Sequence, residues 1–442
     1  MPLNERLMST AVRPSACPGL LRIVPALDGG ICRIKLTGGS ITSAQAEAVA
    51  SAAQDFASGA IEATNRANLQ IRGIGEEHAA LIQRLLAAGL GPDNAAGDDV
   101  RNLMLSPSAG IDRHSLFDTR ALAGQILATV QRHERFHDLS PKFAMQLDGG
   151  EALAMLEHPN DLWLSAYRHD GECRLAFGLA GCPTDAPVGS VALGDGHDLM
   201  VAVLELFLEL AAPEQTRMRH LLADMTPEAF VARLAERLSI APVCGRKRAT
   251  HSTGLHMGVQ DQAQADHVYV GAVPPLGRLD CAMLRGAARL ARQYGDATLR
   301  FTPWQSLLLP NVRREHADEV LRVMHQLGLL CDADQALSQL IACTGSTGCA
   351  RGLADTKGDA RQLAALLQRH GDAVSVHLSG CTRSCAAAHT APVTLLAVTP
   401  GHYDLYFSEA GQPGFGALHA RNLTIEAVGA LLDARLRSPL DA

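Results

Sequence analysis

Two stretches of the 442-residue sequence decide the fold: residues 31–73, ICRIKLTGGSITSAQAEAVASAAQDFASGAIEATNRANLQIRG, and residues 269–311, YVGAVPPLGRLDCAMLRGAARLARQYGDATLRFTPWQSLLLPN. They align without a gap at an offset of 238 residues, with Gly39 on Gly277 and Thr64 on Thr302. Each copy reads as a strand, a Gly-containing turn, an Ala-rich helix and a second strand. A repeat of this kind predicts an internally duplicated protein.

A second, looser pair of segments lies between and after these copies. Residues 98–238 run from a strand through a helix near 114–134 to a second strand and the hairpin WLSAYRHDGECRLAFG. Residues 337–436 repeat this order with a helix near 359–370, the hairpin TLLAVTPGHYDLYFS and a closing helix. The chain therefore reads as A–B–A′–B′, an α+β protein built by internal duplication.

Stretches rich in turn-forming residues mark the boundaries between the four segments. We expect A to cover residues 1–90, B to cover 91–241, A′ to cover 242–331 and B′ to cover 332–442. A and A′ have the length of half-domains, whereas B and B′ are larger α+β units.

The composition excludes several classes of protein. Apolar residues make up 47% and charged residues 19%, which is typical of a globular chain, and the net charge of −7 gives no support for nucleic-acid binding. The apolar runs are too short to span a membrane. The opening MPLNERLMSTAVRPSACPGL lacks the apolar core of a secretory signal, so we expect a cytoplasmic protein.

The clearest chemical signal lies in four of the 11 cysteines. Cys343 and Cys349 stand in CTGSTGC, and Cys381 and Cys385 stand in CTRSC, each pair at the end of a predicted strand. Four thiolates can hold a 4Fe–4S cluster or a zinc ion, although structural zinc usually takes shorter Cys-x2–4-Cys knuckles. Buried cysteines without a metal are the third interpretation. Glycines beside the pairs let the backbone close around an inorganic core: Gly345, Gly348 and Gly380.

The spacing Cys-x5-Cys, about thirty residues, then Cys-x3-Cys resembles the cluster motif of the sirohaem-dependent nitrite and sulfite reductases. TNRANLQIRGI, residues 64–74, is similar to the strand whose arginine reaches the tetrapyrrole of that family. SPKF places Lys142 where the reductases keep the first of two active-site lysines. The resemblance implies their duplicated fold, in which A and A′ pair as two ferredoxin-like half-domains beside two α+β domains.

Two departures point to one branch of this family. Ala144 stands where the reductases have their second lysine, and Thr382 to Ser384 replace the usual residues inside the second cysteine pair. RPSACPGL and the residues around 30–40 are instead similar to precorrin-3B synthases of aerobic cobalamin biosynthesis. That likeness implies a monooxygenase that hydroxylates precorrin-3A with dioxygen and forms a γ-lactone, giving precorrin-3B. A sirohaem-dependent nitrite or sulfite reductase, and a non-catalytic iron–sulfur or tetrapyrrole-binding protein, remain open alternatives.

The resemblance also implies a set of site residues. Arg66, Arg101 and Lys142 would be catalytic. Arginine pairs bidentately with carboxylates, which a reduced tetrapyrrole carries in number. Arg66 and Arg72, six residues apart, are expected to share one face of one strand, unless they simply face solvent. The substrate-binding candidates are Asn65, Arg66, Asn68, Gln70, Arg72, Arg101, Asn102, Lys142 and Arg383.

A monooxygenase needs electrons, and the cluster would relay them. No Gly-rich nucleotide fingerprint follows a predicted strand, so we expect an external donor, either NADH through a reductase or a ferredoxin. The resemblance further implies a mononuclear non-haem iron, for which histidine and carboxylate are the usual ligands. The candidates are His133, Glu134, His137, Asp138, His251, His256, His377 and His389, with the pair His133 and His137 expected on one helical face.

Other features have structural interpretations. Trp304 replaces Arg66 in the second copy and is expected in the core, which makes the two halves unequal. The basic run from Arg246 to Arg248 is expected in a solvated loop rather than in a role that steers an anionic substrate or a ferredoxin. Cys17 and Cys32 are expected to pack as small apolar side chains. The same expectation holds for Cys173, Cys182, Cys244, Cys281 and Cys331.

Overall fold

The computed structural model describes residues 17–243, 246, 248, 254–368, 374–389, 391–409 and 414–437. Within these ranges the strands form four five-stranded sheets, one for each of the four sequence segments. Cys244, Lys247 and His251 lie outside the described residues.

Segment A forms an antiparallel sheet that is covered by helices. Helix α1 begins at a capping box, because the hydroxyl of Thr42 accepts from the amide of Gln45 (3.2 Å) while the Gln45 side chain accepts from the amide of Thr42 (3.1 Å). The elements are β1 (Val24–Ala26), β2 (Gly29–Ile34), β3 (Ser40–Thr42), α1 (Ser43–Phe56), β4 (Ala60–Ala63), β5 (Leu69–Ile74) and α2 (His78–Ala87).

Segment B forms a mixed sheet of order β10-β9-β8-β7-β6, in which β6, β7 and β8 run parallel. The long β8–β9 hairpin turns at the HDGE tetrapeptide, as the sequence predicts. The elements are α3 (Gly97–Val100), β6 (Leu103–Leu105), α4 (Arg120–Arg132), β7 (Met145–Asp148), β8 (Asn160–His169), β9 (Glu172–Gly181), β10 (Gly189–Ala192), α5 (Gly196–Leu210), α6 (Met218–Leu221) and α7 (Pro227–Leu234).

Segment A′ repeats A, and the two exchange strands. Strand β3 of A pairs with β14 of A′, and β13 of A′ pairs with β4 of A, so each sheet is completed by the other copy. The elements of A′ are β11 (Gly258–Asp261), β12 (His267–Ala272), β13 (Arg278–Leu279), α8 (Cys281–Tyr294), β14 (Thr298–Phe301), β15 (Leu307–Arg313) and α9 (Ala317–Gln326). The sheet orders are β1-β2-β5-β4-β13 and β11-β12-β15-β14-β3.

Segment B′ repeats B, with β16, β17 and β18 parallel and an antiparallel extension through β19 and β20. The edge strand β20 is not foreseen from the sequence, because its residues are mostly exposed and lack an alternating apolar pattern. The elements are β16 (Leu340–Ala342), α10 (Thr356–Leu367), β17 (Val376–Ser379), β18 (Val393–Thr399), β19 (His402–Phe407), β20 (Ala417–Thr424) and α11 (Ile425–Arg437).

The apolar side chains form three main cores. A and A′ share one core, in which buried residues of both copies pack together, whereas B and B′ each enclose their own. Of the helices that the structure describes, none has the length and apolar character to cross a membrane.

One turn has the same structure in both copies of the repeat. The Thr64 hydroxyl accepts from the amides of Arg66 (3.3 Å) and Asn68 (3.0 Å), and the Thr302 hydroxyl accepts likewise from Trp304 and Ser306. The turn in A needs a left-handed residue, Ala67 at φ 56°. Arg66 therefore lies in the turn and not on β5, and the expectation that Arg66 and Arg72 share one strand is wrong.

Substitution of Gly39 tests the coupling of the two half-domains. Gly39 has φ +70°, and a Cβ there would lie 2.0 Å from the carbonyl oxygen of Phe301 in the other copy. We expect Gly39→Ala to lower the free energy of unfolding by at least about 1–3 kcal/mol. Gly124→Ala, at an exposed position of helix α4 with no atom within 4 Å of the new Cβ, should stabilise the protein by about 0.5–1 kcal/mol. Thermal unfolding followed by circular dichroism measures both effects. Equal melting temperatures of the two variants would contradict the coupling of the half-domains.

Candidate functional site

The four motif cysteines follow two neighbouring parallel strands. Cys343 and Cys349 come after β16, and Cys381 and Cys385 come after β17, so both loops leave the same edge of the sheet. Burial, and after it the charges of the other three thiols, raise the pKa of the Cys385 thiol, which places the four sulfurs within electrostatic range of one another. Iron would hold them as thiolates, because metal ligation releases the thiol protons.

The backbone around these thiols fits a cluster. Gly345 has φ +70°, and a Cβ there would lie 2.6 Å from the Ala354 carbonyl oxygen, so only glycine suits this position. The amide of Gly380 donates to Cys343 Sγ at 3.2 Å, a bond that tunes a cluster ligand. Among the described residues, no three His, Cys, Asp or Glu side chains are placed to hold a single metal ion. In a 4Fe–4S cluster each thiolate binds its own iron, and four thiols on two neighbouring loops match that requirement.

Arg72 braces the first cysteine loop rather than facing an open pocket. Its guanidinium donates twice to Asp28, through Nε and Nη2 at 2.9 Å each, and Nη2 also donates to the Gly348 carbonyl at 3.2 Å. The side chain is only 6% exposed. These contacts tie β5 of segment A to the loop between Cys343 and Cys349, and they support a positioning role for Arg72.

Glu62 lies at the centre of a buried charge network beneath the same loop. It pairs with Arg278 at 2.6 Å, with Lys357 at 3.8 Å and with Arg72 at 3.9 Å, and it accepts from the Thr344 hydroxyl at 3.4 Å. Burial alone would raise the pKa of Glu62, but Lys357, Arg278 and Arg72 together lower it. One carboxylate of A thus joins A′, B′ and the loop that carries Cys343.

The second cysteine loop is held by both copies of the repeated turn. Asn65 Nδ2 donates to the Cys385 carbonyl at 3.3 Å, and Gln305 Nε2 donates to the Ala386 carbonyl at 3.1 Å. Asn65 is predicted as a substrate ligand, and the structure gives its amide this structural contact. The sequence does not mark Gln305 as a site residue, because the residues around it, FTPWQS, are less polar than the corresponding residues of the first copy.

A recessed group of cations lies beside these loops. Arg66 donates to the Asn160 side chain at 3.2 Å and to the Pro159 carbonyl at 3.3 Å. Burial, followed by the charges of Arg217 and Arg33, lowers the pKa of Arg66 to about 10 although Asp161 opposes the shift. The guanidinium groups therefore outnumber the carboxylates in this region, which is the electrostatic character of an anion-binding site.

Arg101 and its neighbours line the adjoining part of segment B. Arg101 donates to the Gly91 carbonyl at 3.3 Å and approaches Asp98 at 3.4 Å, and its buried Nε has no partner among the described residues. Asn102 Nδ2 donates to the carbonyls of Pro141 (3.0 Å) and Phe143 (3.1 Å), on either side of Lys142. Asn102 therefore positions Lys142, whose side chain is exposed.

The remaining predicted ligands divide into structural and exposed residues. Asn68 closes the repeated turn, because its Oδ1 accepts from the Leu36 amide at 2.8 Å. Gln70 pairs with Arg33 across β5 and β2, its side-chain oxygen accepting from Nη2 and Nε in the amide orientation that satisfies both groups. Arg383 is exposed between Cys381 and Cys385, where its charge lowers the pKa of the Cys385 thiol against the larger raising effects.

The pair His133 and His137 does not share a helical face, so that expectation is wrong. Helix α4 ends at Arg132, and Glu134–Asp138 form a 3-10 helix around the buried Phe136. The ring of His137 contacts the Gln131 carbonyl at 2.8 Å through Nε2, whereas His133 is exposed. A 3-10 helix turns every three residues, so i and i+4 side chains diverge.

The two described residues of the basic run, Arg246 and Arg248, do not lie free in solvent, contrary to the expectation for the run. Arg248 is 6% exposed and donates twice to Asp148, at 2.8 and 2.9 Å. Arg246 stacks over Trp163 with 5.4 Å between the guanidinium carbon and the ring centroid. Both side chains pack into segment B, because the buried carboxylate and the indole give them better partners than water.

Trp304 packs as expected. It lies against a small apolar cluster that includes Tyr269 and Leu308, and its ring stacks on His256 at 5.3 Å with an interplanar angle of 3°. Burial lowers the pKa of His256 to about 4. Cys32 is fully buried and its thiol contacts the Leu20 carbonyl, in keeping with a packing role.

Three residues of this region escape prediction from the sequence: Arg33, His158 and Arg217. The sequence does contain a pattern that indicates the direction of Arg33. It lies between the core residues Cys32 and Ile34 on one strand, so its side chain must face away from the core. His158 and Arg217 lie in loops, where no periodicity reveals the direction of a side chain.

Comparisons with known proteins agree with this architecture. Residues 96–241 match the family model "Nitrite and sulphite reductase 4Fe-4S domain", and residues 25–89 and 260–327 match the "Nitrite/Sulfite reductase ferredoxin-like half domain". The first match covers segment B, the copy without the four cysteines. The family supports an iron–sulfur cluster, and its assignment to segment B′ rests on the thiols.

Individual proteins that are similar to this chain include a nitrite reductase and a precorrin-3B synthase. The chain is 30% identical to a chloroplastic ferredoxin–nitrite reductase of Zea mays, over 82% of this chain and 68% of that protein. It is 27% identical to a precorrin-3B synthase of Sinorhizobium sp., over 89% of this chain and 82% of that protein. The Mycobacterium tuberculosis NirA structure matches 93% of this chain and 82% of its own, with a TM-score of 0.79 at 22% identity. The nitrite/sulfite reductase fold predicted from the sequence is thus confirmed.

Replacement of Cys385 tests the cluster. We expect Cys385→Ser to abolish or strongly reduce the visible cluster absorbance and the iron content, because a serine oxygen is a poor substitute for a thiolate ligand of a 4Fe–4S cluster. Cys331→Ser, a half-buried cysteine outside both motifs, is the matched control and should keep both signals. A Cys385→Ser protein with wild-type iron content would exclude Cys385 as a ligand.

The pH dependence of stability tests the Glu62 network. Glu62→Gln should lower the free energy of unfolding by about 3–5 kcal/mol at pH 7, because it leaves buried cations without their carboxylate. The folded-state pKa of Glu62 lies below its ordinary value of 4.5, so the advantage of the wild type is complete above that value and disappears as the pH falls through the lowered pKa. Denaturant titrations across this pH range measure it. Glu319→Gln, an exposed control, should change stability little at any pH, and an equal effect of the two variants would contradict the network.

Proposed function

Because the chain belongs to the nitrite and sulfite reductase family, we propose that it is a precorrin-3B synthase, the branch that takes a tetrapyrrole as substrate. The reaction hydroxylates precorrin-3A with dioxygen and closes a γ-lactone from the ring A acetate. One oxygen atom enters the macrocycle and the other leaves as water, which requires two electrons and two protons from outside the chain.

The observation that carries the proposal is the environment of Ala144. By the resemblance to the reductases, this residue corresponds to their second active-site lysine, and it is 1% exposed. Its amide donates to Asp161 at 2.8 Å, and Asp161 is in turn paired with Arg217 at 2.8 Å. Position 144 therefore carries only a buried methyl group on a backbone held by hydrogen bonds. No second ammonium group is available there to bind an oxyanion or supply protons.

The cation group suits a polycarboxylate substrate. Arg33 and Arg217 both lie within electrostatic range of Arg66, and Arg101 adds a buried Nε without a partner among the described residues. Guanidinium groups stay charged even with a lowered pKa and can each grip a carboxylate with two parallel hydrogen bonds. We infer that these residues bind the acetate and propionate groups of the macrocycle and orient its ring A.

The four-cysteine loops supply the place for electron entry. Cys343, Cys349, Cys381 and Cys385 would hold a 4Fe–4S cluster, which would supply one-electron transfer when bound. The second cysteine loop contacts Asn65, the neighbour of Arg66, so the proposed cluster and the proposed substrate-binding arginine lie close together. The two electrons come from an external donor, NADH through a reductase or a ferredoxin.

A sirohaem-dependent nitrite or sulfite reductase is the second candidate. The identity with the maize nitrite reductase favours it, together with Lys142 in the place of the first lysine. The cation group that suits precorrin-3A suits the carboxylates of sirohaem equally well. The reaction, and the presence or absence of bound sirohaem, separate the two.

A paired assay tests the proposal. Protein purified without oxygen is supplied with a chemical reductant and either precorrin-3A and dioxygen, or nitrite or sulfite under argon. We expect consumption of oxygen together with a product one oxygen atom heavier by mass spectrometry, and no ammonia or sulfide. Ammonia or sulfide formed at catalytic rates, without oxidation of precorrin-3A, would overturn the proposal in favour of the second candidate.

Arg66→Ala tests the pocket. Loss of one carboxylate contact should weaken binding of precorrin-3A by about 10–100-fold, which corresponds to about 1.4–3 kcal/mol. The cluster absorbance should be unchanged, because Arg66 contacts Asn160 and Pro159 and not a cysteine. Arg84→Ala, which removes an exposed ion pair with Asp55, is the control. Fluorescence or absorbance titration with precorrin-3A measures the affinity, and equal binding by both variants would remove Arg66 from the pocket.

A further inference from the structure

A buried lysine lies directly beneath the first cysteine loop. Lys357, on helix α10, is 5% exposed, and its ammonium donates to the carbonyls of Leu276 at 2.6 Å and Ala342 at 3.2 Å. Ala342 is bonded to Cys343 in the chain. The preceding residue, Thr356, donates through its hydroxyl to the Cys343 carbonyl at 2.7 Å, and its Oγ1 lies 3.6 Å from Cys343 Sγ. Hydrogen bonds thus hold the start of helix α10 and its ammonium against the peptide units of this thiol.

Glu62 places a charge of the opposite sign at the same loop. Its carboxylate lies 3.8 Å from the Lys357 ammonium and accepts from the Thr344 hydroxyl at 3.4 Å. Thr344 follows Cys343 directly. Burial alone would raise the pKa of this carboxyl, but the surrounding cations lower the pKa below its ordinary value, so the group is ionised at neutral pH. A cation and an anion therefore contact the two residues that flank Cys343.

The copy without the four cysteines has neither charge in place. The tripeptide Asp-Thr-Lys at 355–357 has its counterpart in Asp-Thr-Arg at 118–120, which also leads into the helix after the first loop. The side chain of Arg120 is 53% exposed and pairs with the neighbouring aspartate at 2.6 Å, so it does not lie beneath that loop. Arg300 stands at the position of Glu62. Of these two equivalent places, only the one beside the thiols has the buried ammonium and carboxylate.

Buried charges change the affinity of a neighbouring cluster for an electron. When a 4Fe–4S cluster takes up one electron from a donor, its charge becomes one unit more negative, and the potential depends on net charge and on hydrogen bonds to the sulfurs. A nearby ammonium stabilises the added charge and a nearby carboxylate opposes it, with little screening by water at buried positions. The Gly380 amide, which donates to Cys343 Sγ at 3.2 Å, acts in the same sense as the ammonium.

We propose that Lys357 and Glu62 set the reduction potential of the cluster from beneath the first cysteine loop, the ammonium raising the potential and the carboxylate lowering it. The inference rests on the cluster of the proposed function but not on its substrate, so it holds for either candidate reaction. Neither residue carries the electron, and each acts through the electrostatic potential at Cys343. The balance of the two charges decides how strong a reductant the external donor must be.

A redox titration of the whole protein tests the two charges by the sign of their effects. The anaerobically purified protein, with its cluster, is titrated with dithionite in the presence of redox mediators, and the reduced cluster is followed by electron paramagnetic resonance. We expect Lys357→Met to weaken electron uptake about tenfold, which lowers the midpoint potential by about 59 mV for a one-electron couple. Glu62→Gln should raise the potential, whereas damage to the loop would not shift the two variants in opposite directions.

Further variants separate charge from packing. Lys357→Arg keeps the positive charge and should bring the potential back towards that of the wild type. Arg361→Met removes an exposed cation from the same helix, and water should screen its effect. If Glu62→Gln or Lys357→Met fails to fold, Arg278→Met, which removes a half-buried cation that pairs with Glu62, should lower the potential as Lys357→Met does.

Several results would overturn this inference. They are shifts of equal sign for Lys357→Met and Glu62→Gln, no shift in either variant, a shift in Arg361→Met as large as that in Lys357→Met, and a wild type without a reducible cluster. The assay of the proposed function is separate from this measurement. Opposite shifts in a protein that does not oxidise precorrin-3A would overturn the proposed function and support the role of the two charges.

Discussion

The arrangement of the site depends on one buried carboxylate, Glu62, and the three cations that surround it. Glu62 comes from β4 of segment A, Arg278 from A′ and Lys357 from the helix that follows the first cysteine loop. A buried charge of this kind is costly unless every partner is in place, so the network forms only when the three segments have docked. Because Arg72 and Thr344 extend the same network to the loop, the geometry of the thiols depends on the packing of the half-domains.

Because of the duplication, the position of Glu62 in segment A has an equivalent in segment A′, and the two positions have different roles. At the position that corresponds to Glu62, segment A′ has Arg300, which donates to the carbonyls of Pro107 and Ala109 at 2.9 Å each. That loop of segment B corresponds to the first cysteine loop, and hydroxyl and carboxylate groups replace the thiols there. Trp304 likewise replaces Arg66. The arrangement of A against B′ therefore carries the cysteines, while the corresponding arrangement of A′ against B is closed by packing and internal hydrogen bonds.

Much of this could be read from the sequence, and the failures have physical reasons. The repeat at 238 residues and the cysteine spacing were sufficient for the fold and the cluster loops, because both are local patterns with few alternatives. Arg72 could not be distinguished from Arg66, since only the tertiary structure shows that one guanidinium is held by Asp28 and the other lies in a recessed turn. Arg217 could not be foreseen because its ion pair is with Asp161, which is 56 residues away in the sequence.

The central claim is that the arginines beside the cysteine loops bind a tetrapyrrole as substrate and do not retain one as a prosthetic group. The most direct measurement is extraction of pigment with acid acetone from protein purified without oxygen, with iron and protein determined on the same sample. The account predicts cluster absorbance and iron in the protein and no extractable sirohaem. Sirohaem in an amount equal to the protein would contradict it and identify the chain as a reductase that works without the second lysine.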